Sequence, residues 1–507
     1  MSTTHCMAAP AAAPAHRWLV LGIVSVALML IVIDMTVLYT ALPRLTHDLA
    51  ATASAKLWIV NIYALVVSGL LLGMGSLGDR LGHKRLFMAG LVVFGAASLL
   101  AAFAPGSGVL IAARALLGVG AAMMMPATLS LIRLSFSDAR ERALAIGIWA
   151  SVASGGAAFG PVVGGALLEH FWWGSVFLVN VPIVLLALPL AWRYVPHSVG
   201  DRSHPWDWQG SLLVMAGLVG CTYAIKEAGK VSPDWSLAAL TLVAGAALLG
   251  VFVRRQRRSA HPLLDLSLFR NPGFSMAVLT ALVSSASLLG MELVFSQRLQ
   301  LVEGYSPLEA GLAIVPLPLA AFVVGPIAGR LLHRWGSGPL LASALLLSGL
   351  GMGGYWLVHQ GATHWQALSL AVLGLGIGAA MTAASATILM SASAERAGMA
   401  ASVEEVSYEL GGALGVTLMG SLLSAVYAWQ LYLPTGPALP AMVRDSLDEA
   451  LLAAEQLPHT VAEPLVLAAQ TAFDHGYTAV LLTATALLLL AAITVHLRLR
   501  SAAHAAH

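Results

Sequence analysis

Charge is what this chain has least of. Asp, Glu, Lys and Arg make up 10% of its 507 residues, whereas 59% are hydrophobic. A soluble domain carries roughly 25% charged residues, so a bilayer must act as solvent for most of this chain. Cysteine is nearly absent: Cys6 and Cys221 stand far apart, with no CxxC or Cys/His spacing, which argues against a structural disulfide or a zinc site. No GxxxxGK[ST] occurs, which disfavours an ATP-driven pump. The GxGxG runs at Gly349 and Gly374 lie inside apolar stretches and read as helix packing. Met1 to His16 lacks a positive n-region, and the apolar run after it is too long for a signal peptide; it reads as a retained first helix behind a tail, 1–16. No cofactor, metal or nucleic-acid partner is expected.

What is present is a series of apolar runs of membrane-spanning length, about 20 residues each. Fourteen are found, from 17–42 to 475–497, with the sixth at 175–192 and the tenth at 307–329. The fold class that follows is an all-α membrane protein with fourteen transmembrane helices. With a cytoplasmic N-terminus, 19 of the 26 Lys and Arg fall on the inner side and 6 (Arg44, Lys56, Lys226, Lys230, Arg298 and Arg444) on the outer side, with Arg114 alone inside a span. This is the positive-inside pattern, and adding or dropping one helix would scramble it. Both termini, including the tail 498–507, are placed in the cytoplasm, below a bacterial-type inner membrane.

The two halves repeat each other. Gly75-Ser-Leu-Gly-Asp79-Arg80-Leu-Gly82 after the second helix returns as Gly325-Pro-Ile-Ala-Gly329-Arg330 after the tenth. Glu141-Arg142-Ala143 returns as Glu395-Arg396-Ala397, and Gly155-Gly156-Ala157 as Gly411-Gly412-Ala413. Unchanged orientation at similar offsets means a parallel repeat. Six-helix bundles over 17–195 and 274–497 follow, with two additional helices at 208–258 between them.

These motifs resemble the major facilitator superfamily, specifically its fourteen-span drug:proton antiporters and most closely the quaternary-ammonium and methyl-viologen resistance pumps. Asp34-Met-Thr36 to Pro43 is similar to the first-helix signature of that branch, with Tyr39 where asparagine is usual. Gly75 to Arg85 is similar to the cytoplasmic-loop signature, Leu110 to Gly120 to the fourth-helix signature, and Gly156 to Gly165 to the antiporter signature. Glu404-Glu405-Val-Ser-Tyr408-Glu409 resembles the acidic thirteenth helix of the quaternary-ammonium pumps. The resemblance implies a proton-driven exporter of lipophilic cations, working as a monomer by alternating access. Asn61 and Ala321 stand where some relatives carry acids, which implies a narrower, more monovalent range.

An ionised side chain at the bilayer centre costs roughly 2.5–3.5 kcal/mol on the lenient insertion scale, so each one here has a task. Asp34 is either a packing anchor or a proton and cation site. Glu405 and Glu409 share a helix face at i,i+4; with Glu404 they form a group that titrates as a unit. Glu404 is alternatively a solvated helix end. Glu292 is either a further cation-binding acid or a partner of Arg298. Arg114 is either a structural knot or a partner that links protonation to helix movement. Trp58, Tyr63, Met123, Met124, Met125, Trp149 and Tyr408 are cavity-wall candidates by cation–π chemistry and adaptability, or else packing. Asp79, Arg80, Gly82 and Arg85 form a candidate cytoplasmic gate, Asp79 reaching a neighbouring helix N-terminus or the Arg140/Arg142 loop. Gly156, Gly160, Pro161, Gly164 and Gly165 allow close helix packing. The outer segment 430–474, rich in acids, is either a vestibule for departing cations or a solvated lid. A superfamily carrier of another metabolite or lipid-like solute is the alternative function.

Overall fold

The computed structural model describes residues 16–197, 200, 206–230, 233–259, 262–391, 397–432 and 440–505. Cys6 and the Glu395-Arg396 part of the repeat lie outside the described residues. Every regular element among them is helical. The first half comprises α1 (Arg17–Asp48), α2 (Ala53–Leu81), α3 (His83–Ala102), α4 (Ser107–Ser135), α5 (Ala139–His170), α6 (Ser175–Leu178) and α7 (Asn180–Tyr194). Then come α8 (Trp208–Ala228) and α9 (Trp235–Arg258). The second half comprises α10 (Pro272–Leu301), α11 (Pro307–Ile314), α12 (Pro316–Trp335), α13 (Ser337–Val358), α14 (Thr363–Met390), α15 (Ala397–Gln430), α16 (Leu447–Ala454) and α17 (His459–Ala505).

Among the described residues thirteen segments are long and apolar enough to cross a membrane, and the chain is a multi-pass membrane protein. The remaining long helix, α5, has 32 residues. Two expected spans are broken in two. The sixth divides between Leu178 and Asn180, and the tenth at Val315, where Pro316 supplies no backbone N–H to continue the α11 ladder. The last helix begins well before the expected 475, at His459. Its added turns are amphipathic rather than uniformly apolar, and Gln470 there donates to the Leu301 carbonyl at 3.1 Å.

Buried side chains form two large clusters, one built almost wholly from residues 20–195 and one from residues 268–495. The parallel repeat has a backbone counterpart. Gly82 between α2 and α3 and Gly336 between α12 and α13 both adopt positive φ, 94° and 78°, a conformation that glycine takes without steric cost. The GxGxG runs pack α13 on α14: a Cβ on Gly376 would meet the Ser348 backbone, and one on Gly351 the Leu373 backbone. Helix α8 lies on α2, with Gly69 against Met215 and Gly73 against Ser211, and α9 lies on α8 through Gly245 and Cys221.

The end of the molecule carrying α16 (the hairpin end) absorbs five of the six cations counted as outer. Arg44 donates to the Leu168 carbonyl at the end of α5. Lys56 pairs with Asp448 and donates to Gln297 Oε1 at 2.9 Å. Lys226 donates to the Ser54 carbonyl at 2.8 Å, Lys230 pairs with Glu227 at 2.6 Å, and Arg298 pairs with Asp474 at 2.8 Å and with Glu303. Arg444 is exposed. This corrects the reading of 430–474 as an open acidic vestibule or a merely solvated lid. Asp448 and Glu449 are buried; Thr46 Oγ1 donates to Asp448 at 3.3 Å and the Ala53 N–H to Glu449 at 3.1 Å. Asp448 and Glu449 are thus spent on docking the segment against α1 and α2.

Candidate functional site

Asp34, midway along α1, is fully buried in an ion pair with Arg114 of α4. Asn180, at the break between α6 and α7, donates to Asp34 Oδ1 at 3.2 Å and to Ser98 Oγ at 3.3 Å. Arg114 also donates through Nε to the Ile59 carbonyl at 3.2 Å, and its guanidinium lies 4.6 Å from the Tyr63 ring centre. Four helices of the first half therefore meet on this pair. Arg114 thus ties helices together and is paired with an acid, a geometry that its two readings share.

Above the pair, in the seam between the halves, lies a small cavity of about 20 Å³ lined by Met35, Tyr39, Asn61, Tyr63, Arg114, Leu289, Gly412 and Val416. One water needs about that much room. Asn61 spans the seam by donating to Thr417 Oγ1 of α15 at 2.8 Å, while its Oδ1 and the Tyr63 hydroxyl have no hydrogen-bond partner. Ala321, the other position where relatives carry an acid, packs against Gly378 of α14.

Glu409 enters from α15. It is 5% exposed, its Oε2 has no partner, and it is close enough to Arg114, Tyr39 and Tyr63 to interact with each through charge. Glu405, one turn nearer the terminal end (the end carrying Arg17 and Arg498), is half-buried. Glu404 is half-buried too, and reaches Ser385 of α14. No cation pairs with any of the three among the described residues. Glu292 of α10 is buried near Tyr39. The alternative pairing of Glu292 with Arg298 is corrected, since Asp474 and Glu303 already hold that arginine.

Several wall candidates face elsewhere. Trp58 points to α8, with Lys226 Nζ 4.2 Å above its ring and Tyr223 beside it. Tyr408 donates its hydroxyl to the Met381 carbonyl at 3.2 Å and packs in the second-half core. Met123 and Met124 lie against Gly90 of α3, and Met125 and Trp149 pack with the first-half core. Asn180 and Thr417 were missed; each is a single neutral polar residue in an apolar run, with no pattern to mark it.

At the terminal end Asp79 pairs with His83, the first residue of α3, at 3.2 Å. It thus reaches a neighbouring helix N-terminus rather than Arg142; the Arg140 side chain lies outside the described residues. Gly82 makes the turn between them, Arg80 is half-buried and Arg85 exposed. On α5, Gly156, Gly160 and Gly164 pack against Val32, Thr36 and Val37 of α1, whereas Pro161 and Gly165 face Gly311 and Leu308 of α11. The series therefore serves two partners, one of them in the other half. Together with Gly420 on Leu57 and Gln300 Nε2 donating to the Thr40 carbonyl at 3.0 Å, these contacts join the halves toward the hairpin end.

Residues 24–416 match the Major Facilitator Superfamily. The chain belongs to that superfamily. It is 41% identical over 481 residues, 94% of its length and 97% of the relative's, to the methyl viologen resistance protein SmvA of Salmonella typhimurium. It is 40% identical over 493 residues, 96% of its length and 97% of the relative's, to the multidrug efflux pump LfrA of Mycolicibacterium smegmatis. A bacterial homologue of the human lysosomal transporter Spinster, in an inward-facing unoccupied conformation, has the same fold at a TM-score of 0.63 and 16% identity, covering 96% of this chain and 98% of that one. Superfamily members of this kind are transporters, not enzymes.

Proposed function

We propose that this superfamily member is a fourteen-span, monomeric antiporter of a bacterial-type cytoplasmic membrane. It exports lipophilic cations of the quaternary-ammonium type in exchange for protons, needs no cofactor, and has both termini in the cytoplasm. The observation that carries the reading is Glu409, a buried carboxyl with an unpartnered oxygen beside the seam between the halves. An ionised carboxylate in such a place needs compensation, and a proton or an organic cation supplies it. Exchange follows when the two compete for the same group. Asp34, already paired with Arg114, acts as the coupling element that senses charge at Glu409.

The same pairing disfavours an anion carrier. Arg114 lines the cavity, but Asp34 neutralises it. The expectation of a monovalent range weakens for two reasons. Glu405 and Glu409 together offer two negative charges, and a relative of 41% identity is named for resistance to methyl viologen, a dication. We read the range as including dications. Each uncompensated charge moved adds about 2.3 kcal/mol per 100 mV, so a dication leaving for two protons is independent of voltage.

The test is proton-driven uptake of mono- and dicationic dyes into everted vesicles. Glu409→Gln is expected to abolish uptake of both classes while the protein remains in the membrane. Normal pH-driven uptake in that variant would overturn the assignment.

A further inference from the structure

A much roomier cavity than the one at Glu409 lies away from the seam. At the hairpin end, between α2, α8, α15 and the turn at Asp445, lies a pocket of about 260 Å³. That is below the roughly 300 Å³ at which drug-sized sites begin. Its lining mixes apolar carbon with polar groups and carries both signs of charge. Lys226 is 5% exposed, and its ammonium has one carbonyl, that of Ser54, and the face of Trp58. No carboxylate pairs with it among the described residues. Lys230 is committed to Glu227 at 2.6 Å. Ser421, buried in the pocket wall, has a hydroxyl with no partner, and Ser424 lies one turn beyond it. Asp445 borders the same space, half-buried; its carboxylate forms no ion pair among the described residues, and Lys230 acts on it only from a distance. A buried ammonium and a carboxylate thus share one cavity without pairing.

Depth narrows the occupant. Trp429 and Tyr432, near the end of α15, are 78% and 80% exposed, and Trp235 at the start of α9 is 67% exposed. Exposed Trp and Tyr mark the level of lipid headgroups. The α15 wall of the pocket, Ser421 and Ser424, lies about one and a half to two turns below Trp429 on the same helix, beside the largely lipid-facing α8. A free cation is disfavoured by Lys226, and a simple anion by Asp445.

We propose that this pocket binds the headgroup of a zwitterionic phospholipid with a primary amine, its phosphate on Lys226 and Ser421 and its ammonium on Asp445. The lipid belongs to the leaflet at the hairpin end, wedged between the peripheral pair α8–α9 and the α2–α15 seam. A primary ammonium donates hydrogen bonds to Asp445, whereas the choline headgroup has none to donate and the glycerol headgroup brings no positive charge.

The test uses the full chain, delipidated and returned to nanodiscs or mixed micelles. Phosphatidylethanolamine, phosphatidylcholine, phosphatidylglycerol and water-soluble phosphoethanolamine are compared by native mass spectrometry and thermal melting. A hydrogen bond to a charged group contributes about 1.5–3 kcal/mol, so binding of phosphatidylethanolamine is expected to exceed that of phosphatidylcholine by about tenfold or more. Lys226→Gln is expected to lower retention of all phospholipids. Asp445→Asn, an isosteric change at a half-buried turn, is expected to bring phosphatidylethanolamine down to the phosphatidylcholine level and no further. Equal retention of the three lipids by the wild-type chain overturns the proposal. So does an unchanged preference in Asp445→Asn, or saturation of the pocket by phosphoethanolamine alone, which marks a soluble-ligand site.

Discussion

At the scale of single residues, the buried ion pair is where structure and transport are hardest to separate. Removing one partner of a buried pair costs about 3–5 kcal/mol because the other is left uncompensated. Asp34→Asn is therefore expected to lower the melting temperature sharply, and Asp34→Asn with Arg114→Gln to recover most of that loss. If the pair couples proton and drug movement, the double variant folds yet fails to pump in a vesicle efflux assay; normal pumping would reduce the pair to a structural tie. A second residue-scale prediction concerns Glu449, outside the spans. Burial raises its carboxyl to about 7, with the Ala53 N–H pulling the other way. The docked segment thus holds a proton more tightly than the undocked one. Docking is strongest below the ordinary carboxyl range, weakens as pH rises toward about 7, and is constant above. Spin-label distances between the start of α2 and α16, taken across that range, should show this drift, and Glu449→Gln should flatten it. The sequence made Asp34, Arg114 and the α15 acids conspicuous because charge in an apolar run is rare. It left Asn180 and Thr417 hidden, since one neutral polar side chain in a span carries no pattern. Trp58 was misplaced because its neighbour α8 sits beside α2 by tertiary packing alone.

Elements were legible where length and apolarity decide. Every unbroken span begins within a few residues of its expected start except α17, and membrane hydropathy does not register an amphipathic extension that leaves the bilayer. The breaks after Leu178 and at Val315 escaped for a related reason: an apolar run reads the same whether its hydrogen-bond ladder is continuous or interrupted. The small-residue series of α5 was recognised as close packing, but which helix each glycine meets depends on the other half. A Cβ on Gly165 would lie 2.5 Å from the Leu308 Cα, so Gly165→Val forces α5 and α11 apart. The variant is expected to reach the membrane in normal amount and to lose most efflux. Cysteines placed on α5 and α11 near this contact should also lose their crosslinking. Retained crosslinking would show that the contact is incidental.

For the whole molecule, the charge tally and the internal repeat carried most of the architecture, because orientation and duplication leave long-range marks in sequence. What they could not convey is which end of the cavity is shut. The halves meet toward the hairpin end through α5–α11, α2–α15 and α1–α10, while Glu404 and Glu405, nearer the terminal end, stay half-buried. On the proposed orientation the carboxyls await cargo from the cytoplasm. Maleimide reagents should then label cysteines at Ala401 from the cytoplasmic face and leave cysteines at Leu57 unlabelled from the outside; the reverse pattern would contradict a closed outer end.

The meeting of α5 with α11 has a mechanical consequence. Gly165 rests on the Leu308 backbone and Gly311 on the Pro161 carbonyl, so main chain meets main chain there, with the Ser306 hydroxyl donating to Glu169 at 3.0 Å beside it. Parting two such smooth strips exposes little apolar surface at the glycines. The contact has the form of a smooth bearing, and the polar ties at the same end include those of α16, where Asp448 holds Lys56 and Thr46.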